Sequence, residues 1–172
     1  MLDPKMHDAL NDQINAEMFS AYLYLAMSAW CESINLQGSA IWFMSQAQEE
    51  MIHAMKFYNF ILERGGEVEL KPIEKPQKEW KTVMEAFEAA FEHEKYITGR
   101  INNLVNLAIE LKDHASNQML QWYVAEQVEE EDNVTTVIQK LKLVEATPGG
   151  LYMIDKELGL RPVLYAIPVS AL

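Results

Sequence analysis

The chain has 172 residues, with 14 Lys and Arg against 26 Asp and Glu, four His and a single Cys. That length suits one domain with a self-sufficient core, and 49% hydrophobic content with 23% charged residues excludes a disordered chain. One Cys excludes a disulfide scaffold, a zinc ribbon and a rubredoxin-type iron site, while a net charge of −12 argues against nucleic acid or an anionic membrane as partner and favours cations.

The opening MLDPKMHDALNDQ has no apolar signal core, and no later apolar run approaches membrane-spanning length, so a reducing cytoplasm is the expected location. Asp3-Pro4 reads as a helix cap followed by Pro at the first helical position. Leu10, Ile14, Ala21, Tyr24, Met27 and Cys31 then recur three and four apart, predicting a helix to about Cys31 or Ser33. Ile34 to Gly38 reads as a turn. Gly38-Ser39 opens a second helix carrying Phe43, Ala47, Ala54, Phe57 and Ile61, which stops at Gly65-Gly66.

From Gly66 to Lys81 the sequence carries Pro72, Pro76, several charges and no period. A helix of about 28 residues is roughly 42 Å long, and about sixteen extended residues reach roughly 50 Å. The segment can therefore run the length of a bundle and start the third helix parallel to the second. Helix three is predicted from about Thr82 to Leu111, with Phe87, Phe91, Ile97, Ile101 and Val105 on one face. Lys112 to Ala115 reads as a turn. Helix four follows from about Ser116 to Val144, with Leu120, Tyr123, Val124, Val134, Ile138 and Leu141. After Thr147-Pro148-Gly149-Gly150, Leu151, Ile154 and Leu158 predict a short fifth helix ending near Gly159, and Arg161-Pro162 opens an apolar tail. The fold class is all-α: a bundle with one long crossover between helices two and three and a short C-terminal helix.

Acidic residues interrupt these apolar stripes. Glu17 lies between Ile14 and Ala21; Glu50 and His53 between Ala47 and Ala54; Glu94 between Phe91 and Ile97; Gln127 and Glu130 between Val124 and Val134. All fall just short of mid-helix, so packing brings them to one level. One Glu on an apolar face is commonly a rim residue whose head reaches water, but four at one height are not explained that way. Each buried ion costs several kcal/mol to desolvate, and clustering adds repulsion. Two divalent cations would balance the four carboxylates. Carboxylates with one imidazole suit iron or manganese better than copper or structural zinc. Glu50-Met51-Ile52-His53 supplies the Glu-x-x-His spacing that presents oxygen and nitrogen from one helical turn, a template stated for ferritin-like di-iron bundles. From the residues alone, a di-metal enzyme acting on an organic substrate or peroxide and an inert bundle whose carboxylates set register both remain open.

At these residues the chain resembles the non-haem ferritins of bacteria and archaea. The segments that carry the resemblance are NDQINAEMFSAYLYLAM (11–27), QAQEEMIHAMKFYNF (46–60), FEHEKYITGRIN (91–102), LQWYVAEQVEEE (120–131) and GGLYMIDKEL (149–158). The resemblance implies a ferritin-like four-helix bundle over 1–145, with 146–172 adding the fifth helix and apolar tail of the same domain. It implies a ferroxidase centre of two irons: Glu17, Glu50 and His53 around the first, and Glu50, Glu94 and Glu130 around the second, with Glu50 bridging. Gln127 would be a polar neighbour on the oxygen-facing side, and Tyr24 could hydrogen-bond a ligand or supply an electron. Trp122 matches another aromatic beside the centre. Prokaryotic members often have a third iron position, which Glu49, Glu126 and Glu129 match. The activity implied is oxidation of Fe2+ to Fe3+ with O2 or H2O2 and storage of a ferric oxide-hydroxide mineral inside a hollow homo-oligomer of 24 subunits.

Helix four has Gln127-Val128-Glu129-Glu130 and not a second Glu-x-x-His, which disfavours a bacterioferritin. Haem is not expected, although Met51 stands where haem-binding relatives carry their ligand. The missing CxxC pairs disfavour a rubrerythrin. His7, His93 and His114 read as solvated, and Cys31 as a buried thiol. The tail 163–172 is expected to bury itself against a neighbour or the cage interior, or to be disordered.

Overall fold

The computed structural model describes residues 2–164. Among them are five helices and no strand: α1 (Pro4–Ser33), α2 (Gln37–Glu63), α3 (Val83–Glu110), α4 (His114–Val144) and α5 (Gly150–Leu158). The tail beyond Leu164 lies outside the described residues.

The helix starts follow from local chemistry. Asp3 accepts from the Lys5 amide, with Pro4 in the first turn of α1. Thr82 accepts from the Glu85 amide while the Glu85 carboxylate accepts from Lys81 N, a close variant of the reciprocal capping box. Asp113 caps α4 by accepting from both the amide and the hydroxyl of Ser116. That cap draws His114 and Ala115 into the helix, two residues before the start expected at Ser116. The second helix also begins earlier, at Gln37, because its cap is not local. Asp155 of α5 accepts from Gly38 N at 3.0 Å and from Ser39 N at 2.7 Å.

α1 packs along α2, α3 along α4, and α1 also meets α3; α5 lies against α2 and α4. The crossover is tied to α1 in order. His7 Nε2 lies 2.7 Å from the Glu67 carbonyl, Asn11 Oδ1 accepts from Glu69 N, and Asn15 donates to the carbonyls of Lys71 and Pro72. Trp80 then packs edge-on against Trp30 near the far end of α1. The crossover thus travels the bundle's length, and α3 starts beside the start of α2. Arg64 closes the opposite end with a two-pronged ion pair to Asp113 at 3.0 and 3.2 Å. His7 is therefore a half-buried anchor and not a solvated side chain. His114 is exposed, as expected, and Cys31 is buried and free.

The apolar core is in two pieces. One gathers Tyr24, Trp30, Trp42, Phe43, Phe87 and Val134 with Ile154 and Leu158 of α5. The other gathers Met6, Leu10, Ile14, Phe57, Ile61, Ile97, Ile101 and Tyr123. On every long helix the residues between the two pieces include the acidic positions singled out above.

Candidate metal centre

The layer between the apolar clusters is built from Glu17 of α1, Glu50 and His53 of α2, Glu94 of α3, and Gln127 and Glu130 of α4. All six are buried, with Glu94 at 0% and Glu17 and Glu50 at 1% relative exposure. Their helical periodicity leaves no alternative: each sits on the stripe whose flanking apolar residues fill the cores above and below.

Two groups of side chains stand close enough to share a cation. The ligand atoms of Glu17, Glu50 and His53 all lie within 4.8 Å of one another, and so do those of His53, Glu126 and Glu130. His53 Nδ1 is 3.5 Å from a Glu50 oxygen, and its Nε2 is 3.7 Å from Glu126 Oε1. Tyr123 holds the backbone at this point by donating to the His53 carbonyl at 2.7 Å. Buried polar atoms normally have partners, yet Glu17 Oε2 and Glu50 Oε2 have no hydrogen-bond donor. Glu17 and Glu50 face each other here, with His53 Nδ1 beside Glu50 Oε2, so the pair shares either a proton or a cation.

The remaining carboxylates are held by neutral donors. Tyr24 donates to Glu94, and Gln127 donates to the other Glu94 oxygen at 3.2 Å. Gln46 donates to Glu130 at 2.6 Å, and Gln13 to Glu17 at 2.8 Å. Burial raises all four acids above the usual carboxylate range. It carries Glu94 to about 7, against the opposing hydrogen bonds of Tyr24 and Gln127. Burial and then the neighbouring Glu94 carry Glu130 to about 8. Glu50 is raised well above the ordinary value by burial and by the Glu94, Glu17 and Glu130 charges, and Glu17 is raised by burial. Burial and the Glu94 charge likewise push the Tyr24 phenol up. The layer takes up protons when no other cation is present.

The third set expected from the sequence is dispersed. Glu126 faces His53, but Glu49 is engaged by Arg161 at 2.8 Å and Glu129 is exposed. Trp122 sets its ring edge-on to His53, 5.4 Å away, under the Lys56 ammonium. Met51 is 40% exposed on the outer side of α2. His93 departs from its solvated reading. It is half-buried, with Nε2 2.7 Å from Ser20 Oγ and its ring against Phe19 and Tyr24, and burial lowers its pKa to about 4.

Sequence reasoning did not single out Gln13, Gln46 or Arg161. The first two carried a signal: each is a polar residue on an apolar stripe, and each stands four positions before an acidic residue of the layer. Arg161 carried none, because it reaches Glu49 only through the docking of α5 and the chain that follows it.

A family model described as a ferritin-like domain matches residues 7–144. A probable bacterial non-heme ferritin-like protein of Haemophilus influenzae is 42% identical over 159 residues, covering 92% of this chain and 96% of the relative. A bacterial non-heme ferritin of Escherichia coli is 39% identical over 158 residues, covering 92% and 96%. An open-pore ferritin from the hyperthermophilic archaeon Archaeoglobus fulgidus superposes with a TM-score of 0.93 at 48% identity, covering 94% of this chain and 100% of that one. Matches of this length and identity place the chain in the ferritin family.

Proposed function

We propose that this protein is a ferroxidase that stores iron, with Glu17, Glu50, His53, Glu94 and Glu130 as the ligands of a pair of Fe2+ substrate ions. The observation that carries the site assignment is the pair of buried, donorless oxygens on Glu17 and Glu50, beside His53 and within one layer of four carboxylates. Glu17, Glu50 and His53 take the first ion. Glu50, Glu94 and Glu130 take the second, with Glu50 shared. Bringing +4 into four carboxylates offsets the burial that raises Glu94 to about 7 and, with the Glu94 charge, Glu130 to about 8.

The protein's own contribution is positioning, charge balance and exclusion of water. Tyr24 and Gln127 fix Glu94 from two sides, so its oxygens keep one orientation while iron comes and goes. Gln46 does the same for Glu130. Each Fe2+ gives up one electron to O2 or H2O2, and the Fe3+ leaves as an oxide-hydroxide, releasing protons. Tyr24 stays beside the pair through its hydrogen bond to Glu94. Glu126 beside His53 offers a further acidic contact next to the pair, and Glu49 and Glu129 are the other two acids of the third position that the resemblance implies. The assembly is a cytoplasmic homo-oligomeric cage of 24 copies, whose net charge of −12 per chain concentrates Fe2+. The archaeal relative of the same fold is an open-pore ferritin.

Stepwise addition of Fe2+ to aerobic apoprotein tests the reading, with ferric absorbance followed and the particles sized in the same sample. Fast oxidation that saturates near two or three irons per subunit, followed by soluble iron-loaded cages, is the expected result. Oxidation no faster than buffer, with precipitate and no cage, would refute it.

A further inference from the structure

The mechanism leaves one charged contact to the site unused. Arg100 of α3 sits at the outer surface between α1 and α3, where it lines two shallow cavities. Each nitrogen of its guanidinium makes one hydrogen bond. Nε donates to Gln13 Oε1 at 2.8 Å, Nη2 to the Asp12 carbonyl at 3.1 Å, and Nη1 to the Tyr96 hydroxyl at 3.1 Å. Gln13 is completely buried, and its Nε2 donates onward to Glu17 Oε1 at 2.8 Å. A chain of two hydrogen bonds thus joins a surface cation to the carboxylate whose other oxygen has no donor.

We infer that Arg100 is a positioning residue for the metal centre, acting through Gln13 to hold Glu17 with one oxygen turned toward the iron pair. The inference rests on the reading of Glu17 as an iron ligand. An amide can present either its oxygen or its nitrogen to a neighbour, and a buried glutamine facing a carboxylate can fail by turning its oxygen toward it. A guanidinium has donors only, so Gln13 must give its oxygen to Arg100. Its NH2 is then forced toward Glu17. Glu17 in turn keeps Oε1 occupied and Oε2 free. The three contacts on Arg100 also stop the guanidinium from rotating away, so the setting is fixed from α3 although the ligand is on α1. This is the arrangement in which outer hydrogen-bond partners orient a metal-binding carboxylate and raise affinity.

Anaerobic titration of the apoprotein with Co2+, followed by its visible absorbance, tests this without turnover. Wild type is expected to bind two ions. Arg100→Met keeps the aliphatic packing and loses the donors; it should weaken one of the two ions by roughly tenfold and leave the other unchanged. Arg100→Lys retains a donor to Gln13 Oε1 and should recover most of the loss. In a Gln13→Ala background, Arg100→Met should add no further effect, because the relay is already cut. Unfolding midpoints of all variants should match within a few degrees. Unaltered Co2+ binding in Arg100→Met, or equal losses in the Met and Lys variants accompanied by a lowered unfolding midpoint, would overturn the relay. Failure of wild type to bind Co2+, or undiminished binding in Glu17→Ala, would instead overturn the underlying assignment of the site.

Discussion

The two apolar clusters and the acidic layer between them are equally buried and obey opposite rules. In the clusters, aromatic and aliphatic side chains fill space: Phe43 and Phe87 stack at 4.6 Å at one end, and Phe57 and Tyr123 at 4.1 Å at the other. In the layer between, Glu17, Glu50, Glu94 and Glu130 are as dry as those rings. Every desolvated carboxylate there works against the folded state until a cation arrives. The contrast separates stability from function along the axis of one bundle. Substitutions in the clusters should cost folding and spare chemistry per folded molecule, and substitutions in the layer should do the reverse.

The strongest way to break that division is Glu50→Ala, at the residue proposed to be shared by both ions. The fast phase of Fe2+ oxidation should fall by at least about a hundredfold, with no loss of apoprotein stability, since a buried carboxyl crowded by three acidic neighbours is removed. Stopped-flow absorbance and chemical denaturation on the same preparation measure both arms; a destabilised Glu50→Ala apoprotein would contradict the division. Phe87→Ala is the complement. It empties a fully buried site between Trp42 and Phe43 and should cost about 3–5 kcal/mol. The fast phase per folded subunit should be unchanged.

A smaller effect is expected at the edge of the first cluster. A Cβ on Gly38 would lie 1.6 Å from the Asp155 carbonyl oxygen, so Gly38→Ala must push α5 off α2. Overpacking of this kind costs about 1–3 kcal/mol, and limited proteolysis should then cut near α5 while the di-iron layer keeps binding Co2+. The gentlest probe is pH. Glu94 at about 7 and Glu130 at about 8 hold protons in the folded bundle that they would lose near ~4.3 in the unfolded chain. Between those values the folded state binds more protons, so apoprotein stability falls as pH rises. Thermal melts should therefore be higher at about pH 5.5 than at about pH 8, and saturating Co2+ should flatten the difference. A metal-free melt that rises with pH across this window would show that the layer is not protonated as described.

Much of this was legible in the sequence because both rules leave a period. The apolar stripe gives the helix faces, and Glu17, Glu50, Glu94 and Glu130 stand out as interruptions of that stripe at one height. The crossover was legible from the length of 66–81 and its prolines, though not its attachment to His7, Asn11 and Asn15, which depends on which polar face of α1 it meets. His93 was misread because its shelter comes from Ser20 and Phe19 on another helix, not from its own. The early start of α2 was hidden for the same reason. Its donors are satisfied from α5, far along the chain, where no local capping pattern can register. The supporting amides Gln13 and Gln46 were visible as polar residues on apolar faces. Their roles required knowing what Arg100 and Glu130 present to them.

The Asp155 contact has a consequence for how the chain is made. Leu36, at the head of α2, offers no side-chain cap, and the amides of Gly38 and Ser39 wait for a carboxylate 117 and 116 residues further on. During synthesis the first four helices can pair while α2 still ends in open donors. The helix is completed only when α5 has left the ribosome and docked over Gly38. A chain interrupted before Asp155 would leave the Gly38 and Ser39 amides without that carboxylate and the first apolar cluster without Ile154 and Leu158.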